Sequence, residues 1–313
     1  MLVAVETLNV DAASFRQMEE DAKASGEAPE AGVAKRVEDT VKGRGKQHNR
    51  VTGSGGMLLG RVLQLCPGRP SGERIAVGDR VASLISLSLT PLRVDAVKEI
   101  RTASAQLDVF GEAVLFASSP YARMPEDLNE RLALAVLDVA GAAPQVARLV
   151  REDAVVVILG AGGKSGIMCA AEARRRAGPG GILVGVESYA PFADDLEKLA
   201  LCNHVVRVDA RQPMATRDAV LAVTGGREAS LVLSCVNVPD VEMTAILCTK
   251  DRGVAYFFAM STSFTKAALG AEGVGKDVDL VIGNGFAHGH AEHSLSMLRD
   301  MPQVRALFER RYG

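Results

Sequence analysis

From residue 154 to residue 283 the chain repeats one unit six times: a short continuous run of Val, Ile and Leu, followed by a polar or helical stretch. The runs are Ala154–Leu159, Ile182–Glu187, Val205–Val208, Leu231–Val236, Val254–Met260 and Leu280–Gly283. The first three lead into helices ending near Ala177, Leu201 and Val223. Strands that are apolar at every position, not every second one, are buried on both faces, the condition of a parallel sheet covered by helices on each side. Six of them in this rhythm predict an α/β, doubly wound sheet in the order 3-2-1-4-5-6. Few other patterns restrict a chain so tightly.

The texture changes near Pro120 to Pro125. Before it lie the short β-rich runs Leu2–Thr7, Gly56–Leu65 and Arg80–Ser88, separated by glycine turns, which suggest a small barrel-type domain over residues 1–122, with the sheet domain over 123–313. Residues 12–46, rich in Ala, Glu and Lys and without β pattern, read as surface helices inserted into the first domain. In the loop Gly43–Gly56, Lys46, Gln47, His48, Asn49 and Arg50 stand against flexible glycines, a composition able to line a cleft.

A formal charge of −2, four Tyr and no Trp supply neither a basic field nor stacking platforms, so nucleic acid is not an expected partner. Cys66, Cys169, Cys202, Cys235 and Cys248 stand singly, mostly in apolar runs, and read as buried structural thiols. No signal peptide precedes the first strand-like run, and no apolar stretch approaches the roughly 18 residues of a membrane span. A cytoplasmic protein without a membrane partner is expected. The sixth run would form a sheet edge whose unpaired backbone groups need a cover, and a homodimer is the expectation.

The turn after the first run, "VVVILGAGGKSG" at 155–166, contains the G-K-S ending of a triphosphate loop and the G-x-G opening of a dinucleotide turn. A triphosphate loop needs its first glycine at position 158, where Ile158 is still inside the strand. A dinucleotide turn needs only a sharp exit at Gly160, close approach of the pyrophosphate at Gly162, and a small residue where the helix crosses the strand. That third place falls on Ser165, with Gly166 one step later. Gly163 opens the helix, and Lys164 and Ser165 can add contacts to the diphosphate. Glu187, 21 residues beyond Gly166, ends the second strand, where a carboxylate accepts from the ribose hydroxyls and repels a 2′-phosphate; NAD is expected over NADP. A ligand-free glycine turn and a solvated Glu187 are the plainer alternatives.

With these pieces in place, the order of motifs resembles the medium-chain dehydrogenase/reductase superfamily. The resemblance lies in "VAVETLNVDAASF", "GSGGMLLGRVLQL" with "VGDRV", and "LAVLDVAGAAPQVARLVREDAVVVILGAGGKSG". It implies a GroES-like barrel domain before a Rossmann-type domain. The runs "VTGSGGML", "SLISLSLTPL", "LDVAGA", "GAGGKSG", "CVNVP" and "SFTKAALGAEGVGKDV" are similar to those of the L-erythro-3,5-diaminohexanoate dehydrogenase family. That resemblance implies NAD-dependent oxidation at the carbon bearing the 3-amino group, releasing ammonia and 5-amino-3-oxohexanoate in lysine fermentation. The family carries a further segment before the first strand, whereas this chain begins at Met1-Leu2-Val3, so truncation is an expectation. Zinc-using members of the superfamily place ligands where this chain has Asn9, Gly56-Met57 and Ala135, none of which binds zinc. His288-x-His290-x-x-His293 is the one histidine cluster, and no metal is expected; a solvated His-rich helix start is the reading of it.

Amine oxidation requires a free nitrogen lone pair, so a base must act before the hydride leaves. Asp138 interrupts the apolar stretch LALAVLDVAGA, beside the position that the resemblance sets against the nicotinamide; a buried carboxylate there either meets a substrate cation or caps a backbone N–H. Lys46 is a candidate base or carboxylate clamp, with a surface lysine as the alternative. Glu272 is a third candidate catalytic group, and Asn9, His48, Ser88 and Lys266 are candidate substrate contacts, with Lys276 beside them. Asn237, Ser261 and Ser263 follow the fourth and fifth strands and are candidate cofactor contacts. The glycine-rich loop over 263–276 resembles a lid, or is a flexible connection with a short helix. Two further readings stay open: a zinc-independent quinone or enal reductase, which leaves Asp138 without a cation to meet, and a non-catalytic NAD-binding sensor.

Overall fold

A computed structural model of the chain describes residues 1–49, 53–66 and 75–313. Arg50, Val51 and Thr52, which belong to the polar loop and to the run "VTGSGGML", lie outside the described residues. The chain divides into two compact units, Met1–Asp138 with Glu309–Gly313, and Val139–Phe308.

The first unit contains β1 (Leu2–Asn9), α1 (Ala12–Ala24), α2 (Pro29–Arg44), β2 (Met57–Gln64), β3 (Arg80–Ser83), β4 (Leu92–Arg101), β5 (Gln106–Val114), β6 (Tyr121–Arg123) and α3 (Glu130–Leu137). The strands form one antiparallel sheet in the order β4-β5-β1-β2-β3-β6. Its core gathers Val3, Val5 and Leu8 of β1 with Leu58, Val62, Leu107 and Val109, and the helical insertion adds Val33, Val37 and Val41 of α2. Both inserted helices begin and end on local signals. Asp11 caps α1 by accepting from the Ser14 N–H at 2.9 Å, and Pro29 opens α2, which stops at left-handed Gly45.

Two expectations for this unit need correction. The run Arg80–Ser88 stops being a strand at Ser83, because the chain then turns into a short 3-10 segment, Leu87–Leu89, capped by the Ser86 hydroxyl. The break between units falls at the end of α3 and not at residue 122. The reason is that β6 still pairs with β3, and Arg80 of β3 holds both Glu6 of β1 and Glu130 of α3, each at 2.6 Å.

The second unit continues with α4 (Ala142–Leu149), β7 (Val155–Leu159), α5 (Lys164–Ala177), β8 (Ile182–Val186), α6 (Ala190–Leu199), β9 (His204–Val206), α7 (Pro213–Thr224), β10 (Ala229–Ser234), α8 (Glu242–Cys248), β11 (Thr249–Phe257), α9 (Phe264–Val274), β12 (Asp279–Ile282), α10 (His290–Asp300) and, as far as Phe308, α11 (Pro302–Tyr312). All strand pairs are parallel, and the order β12-β11-β10-β7-β8-β9 is the expected 3-2-1-4-5-6 read from its other edge. Every residue of β7 is buried, as a strand with helices on both faces requires. Among the described residues, no single helix is long and apolar enough to cross a membrane.

Helix α5 packs closely on the turn it leaves. A Cβ at Gly166 would overlap the Gly160 carbonyl oxygen and come within 2.7 Å of the Ala161 backbone. Close packing of helix on strand therefore rests on Gly166, and not on Ser165 as the motif count suggests. Gly166→Ala should lower unfolding free energy by about 1–3 kcal/mol, the usual range for overpacking. Denaturant titration against wild type measures this, and an unchanged midpoint would contradict the packing.

Candidate cofactor turn and polar cluster

In the second unit, β7 leads into Gly160, whose positive φ of 73° lets the chain leave the strand sharply. The N–H groups of Gly160 and Ala161 donate to the Val186 carbonyl at 2.9 and 3.2 Å, fixing the turn to the end of β8. Gly163 is the N-cap of α5, and the first turn of α5 holds no acidic residue, so its N–H groups and dipole favour an anion. Lys164 and Ser165 occupy that first turn, half-buried. Glu187 reaches back to this turn: one carboxylate oxygen accepts the Gly162 N–H at 3.1 Å and the other the Tyr189 N–H at 3.0 Å. A Cβ on Gly162 would stand 2.6 Å from the Phe192 Cβ and 2.9 Å from Glu187 Oε2. Bare backbone, a helix N-terminus and a carboxylate at one turn fit a dinucleotide diphosphate with its adjoining ribose.

Around the ends of β10 and β11, the anticipated polar residues mostly hold the scaffold. Asn237 is exposed in the loop after β10, and the Ser261 hydroxyl lies 3.3 Å from the Val236 carbonyl and 3.1 Å from that of Val238, bracing the loop on both sides of Asn237. Ser263 caps α9, accepting from the Lys266 N–H, while its own N–H donates to Glu242 Oε1 at 2.6 Å. The side chains of Ser261 and Ser263 are therefore committed to backbone rather than presented to a ligand. Lys266 forms an ion pair with Asp240, which holds its ammonium above the usual lysine value.

Glu272 does not join this group. A crossover helix runs opposite to its strands, so α9 starts at the carboxyl end of β11 and Glu272 lies near its far end, exposed. Lys276, just beyond, pairs with Glu228 at 2.9 Å and donates to the carbonyl of Thr249, the first residue of β11. Both residues stand at the amino end of the sheet, opposite the glycine turn.

The histidine cluster also separates. His288 and His290 set their rings edge-on to Phe286, with centroids 5.5 and 5.0 Å away, while His293 Nε2 lies 3.4 Å from the buried Glu172 carboxylate. His290 is buried and not solvated, and burial lowers its pKa despite a backbone hydrogen bond to Ala287. Among the described residues, no group of three or more His, Cys, Asp or Glu is placed to hold a metal. Of the cysteines, Cys169 and Cys248 are buried, Cys202 and Cys235 intermediate, and Cys66 exposed, against the expectation of uniform burial. Burial pushes the Cys202 and Cys248 thiols up to about 12, which leaves them unreactive.

In the first unit, β1 and β5 place Asn9 directly opposite Gln106. Gln106 Nε2 donates to Asn9 Oδ1 at 3.1 Å, and Asn9 Nδ2 donates to Asp138 Oδ1 at 3.1 Å. Asn9 and Gln106 are each 1% exposed, whereas Asp138, at the end of α3, is half-buried. Asn9 is thus an internal link and not an open substrate contact, since both ends of its amide are occupied. Ser88 is likewise occupied: its hydroxyl lies 2.9 Å from that of Ser86.

The polar loop packs closely here. A Cβ on Gly55 would come 2.5 Å from both the Gln47 carbonyl and the Ser88 nitrogen, so Gly55 lets two loops meet. Gln47 Oε1, His48 Nδ1 and Gln106 Oε1 are buried without a partner among the described residues, an arrangement that calls for a donor from outside the protein or for water. Lys46 is half-buried and carries no ion pair to a described residue. Gln106 and Glu242 escape the sequence because their roles depend on cross-strand register and on a neighbouring loop. A clue to Glu242 exists in its place at the start of α8.

A family model described as the L-erythro-3,5-diaminohexanoate dehydrogenase N-terminal domain matches residues 1–125. The chain is 45% identical over 312 residues to L-erythro-3,5-diaminohexanoate dehydrogenase of Acetoanaerobium sticklandii, covering 100% of this chain and 90% of the relative. It is 44% identical to the enzyme of the same name from Fusobacterium nucleatum, covering 100% and 89%. Among solved structures, a mycobacterial protein complexed with NADPH superposes with a TM-score of 0.58 at 17% identity, over 96% of this chain and 79% of that one. The fold is that of the medium-chain dehydrogenase/reductases, with a GroES-like domain and a Rossmann-type domain. The chain is a dehydrogenase that uses a nicotinamide cofactor, and it belongs to the L-erythro-3,5-diaminohexanoate dehydrogenase family.

Proposed function

We propose that the chain catalyses the NAD-dependent oxidative deamination of L-erythro-3,5-diaminohexanoate to 5-amino-3-oxohexanoate and ammonia, a step of lysine fermentation. This reading rests on the 45% identity to a relative of that name along the whole chain. The chemistry of the polar cluster supports it. A substrate with two ammonium groups brings N–H donors, and a carboxylate on Asp138 together with a buried acceptor on Gln47 suits them.

In the proposed reaction the Asp138 carboxylate accepts a hydrogen bond from the 3-ammonium and takes its proton, so that the 3-amino nitrogen regains its lone pair. A bound nicotinamide would supply the acceptor for the hydride that leaves C3. As the C3–H bond breaks, the nitrogen lone pair forms a C=N bond. Water then adds to that carbon, the C–N bond breaks, and ketone and ammonia leave. Lys46, charged and without an ionic partner among the described residues, serves the substrate carboxylate.

NAD is the proposed cofactor, because Glu187 would set a carboxylate beside any 2′-phosphate on the ribose it faces. A homodimer is also proposed: β12 is the edge of its sheet, and Ile282 on it and Phe264 and Leu269 on α9 are each about 60% exposed, an apolar surface that a second copy would cover. A cytoplasmic location is proposed from five unpaired cysteines, which suit a reducing compartment. Neither nucleic acid nor a membrane is proposed as a partner, on the near-neutral charge.

Purified protein with NAD and 3,5-diaminohexanoate should reduce the nicotinamide, followed by absorbance. Asp138→Asn should lower kcat at least ~100-fold while NAD affinity stays within error. Wild-type turnover in that variant would remove Asp138 from the chemistry. Glu187→Gln keeps shape and loses charge, so the ratio of kcat/KM with NADP to that with NAD should rise about tenfold, one charge-assisted hydrogen bond being worth ~1.5–3 kcal/mol. A constant ratio would show that Glu187 does not select the cofactor. Sedimentation should give a dimer that Ile282→Lys dissociates; a monomeric wild type would refute the edge-covering copy.

A further inference from the structure

We infer that Gln106 is a positioning residue for the reaction: it sets the direction of the Gln106–Asn9–Asp138 hydrogen-bond chain and thereby presents Asp138 to the substrate as an oriented carboxylate. The inference rests on the role proposed for Asp138 above.

An ionised carboxylate only accepts hydrogen bonds, so the Asn9 group facing Asp138 must be the amide nitrogen. Asn9 then turns its oxygen towards Gln106, and that oxygen needs a donor, because Asn9 is 1% exposed and water is excluded. Gln106 Nε2 is the donor, at 3.1 Å. Each link has one permitted direction once the next is fixed. An amide can flip by rotating about its last torsion, exchanging N and O, and at Asn9 the flip would point an oxygen at the Asp138 carboxylate. The donor on Gln106 is what makes the unflipped state the lower one.

Geometry provides the rest. Gln106 is the first residue of β5 and the register partner of Asn9, the last residue of β1, so the β1–β5 hydrogen-bond ladder brings the amides together. On its other side, Asn9 pairs with Met57 of β2, which gives no polar alternative to Gln106. Gln106 Oε1 is buried and has no partner among the described residues. An acceptor left unsatisfied is costly, and a Leu or Met would fill the same space without that cost. Retaining an amide here is explained by the donor at its other end.

The test is a double-mutant cycle in the full-length protein, reading kcat/KM for 3,5-diaminohexanoate, the Kd of NAD and thermal stability. Gln106→Met keeps the volume and removes the donor. It should lower kcat/KM at least tenfold through kcat more than KM, with NAD affinity unchanged. Asn9→Ala should show a similar loss, and the double variant should lose no more than the larger single, because both act through one chain. Gln106→Glu, similar in size and acceptor-only when ionised, supplies the same comparison should the Met variant not fold, and should also lose at least tenfold. Wild-type kcat/KM in a folded Gln106 variant, or losses that multiply in the double variant, would overturn the inference. Full activity in Asp138→Asn would instead overturn the role of Asp138, so the two failures are distinct.

Discussion

The contact between the backbone of α5 and the end of β7 is the constraint on which the second unit depends. At Gly166 the helix sits so close to the Gly160 carbonyl that no side chain fits. This proximity aims the N-terminus of α5 into the turn and leaves Gly162 within reach of Glu187 from the neighbouring strand. The other residues at this end of the sheet are arranged around that fixed point. Ser261 steadies the loop after β10, and Ser263 starts α9. A diphosphate site of this kind is mostly backbone, held in shape by side chains that never touch the ligand.

The first unit solves a different problem, which is how to hold the Asp138 carboxylate in a set direction. Nearby charges in the same sheet are already matched: Arg101 with Asp108, and Arg80 with Glu6 and Glu130. Burial tends to raise the pKa of Asp108, and the Arg101 guanidinium and Thr7 hydroxyl more than offset it, so that carboxyl stays below the usual range. Asp138 accepts a neutral amide donor from Asn9. A neutral donor orients a carboxylate without itself cancelling the charge.

The parallel sheet was legible because its central strands are continuous apolar runs and each strand is followed by a helix, although β11 begins at Thr249 with the charged Lys250, Asp251 and Arg252, ahead of the expected run. The antiparallel sheet was legible in part. The β4 sequence, LRVDAVKEIR, mixes charged residues with apolar ones and is largely half-exposed, so no clean alternation marks it, and β5 and β6 were equally silent. At the site, Glu187 was readable because the spacing from the glycine turn reflects one helix and one strand. Glu272 was misread because sequence proximity to Ser263 hides a full helix length between them. Gln106 had no signal at all, since its significance arises from register with Asn9, 97 residues earlier in the chain.

Helix α3 illustrates how a short element can hold a reactive group in place. Its first residue, Glu130, is fastened through Arg80 to Glu6, and the residue after its last turn, Asp138, is fastened to Asn9; Glu6 and Asn9 both belong to β1. Eight helical steps of ~1.5 Å span ~12 Å, and three strand steps of ~3.3 Å span ~10 Å, so the two anchorages lie nearly the same distance apart on helix and strand. A bar pinned at both ends to one rail can neither swing nor roll about its axis. The carboxylate at its tip therefore inherits the rigidity of a β-sheet, although it is carried by a helix of only eight residues.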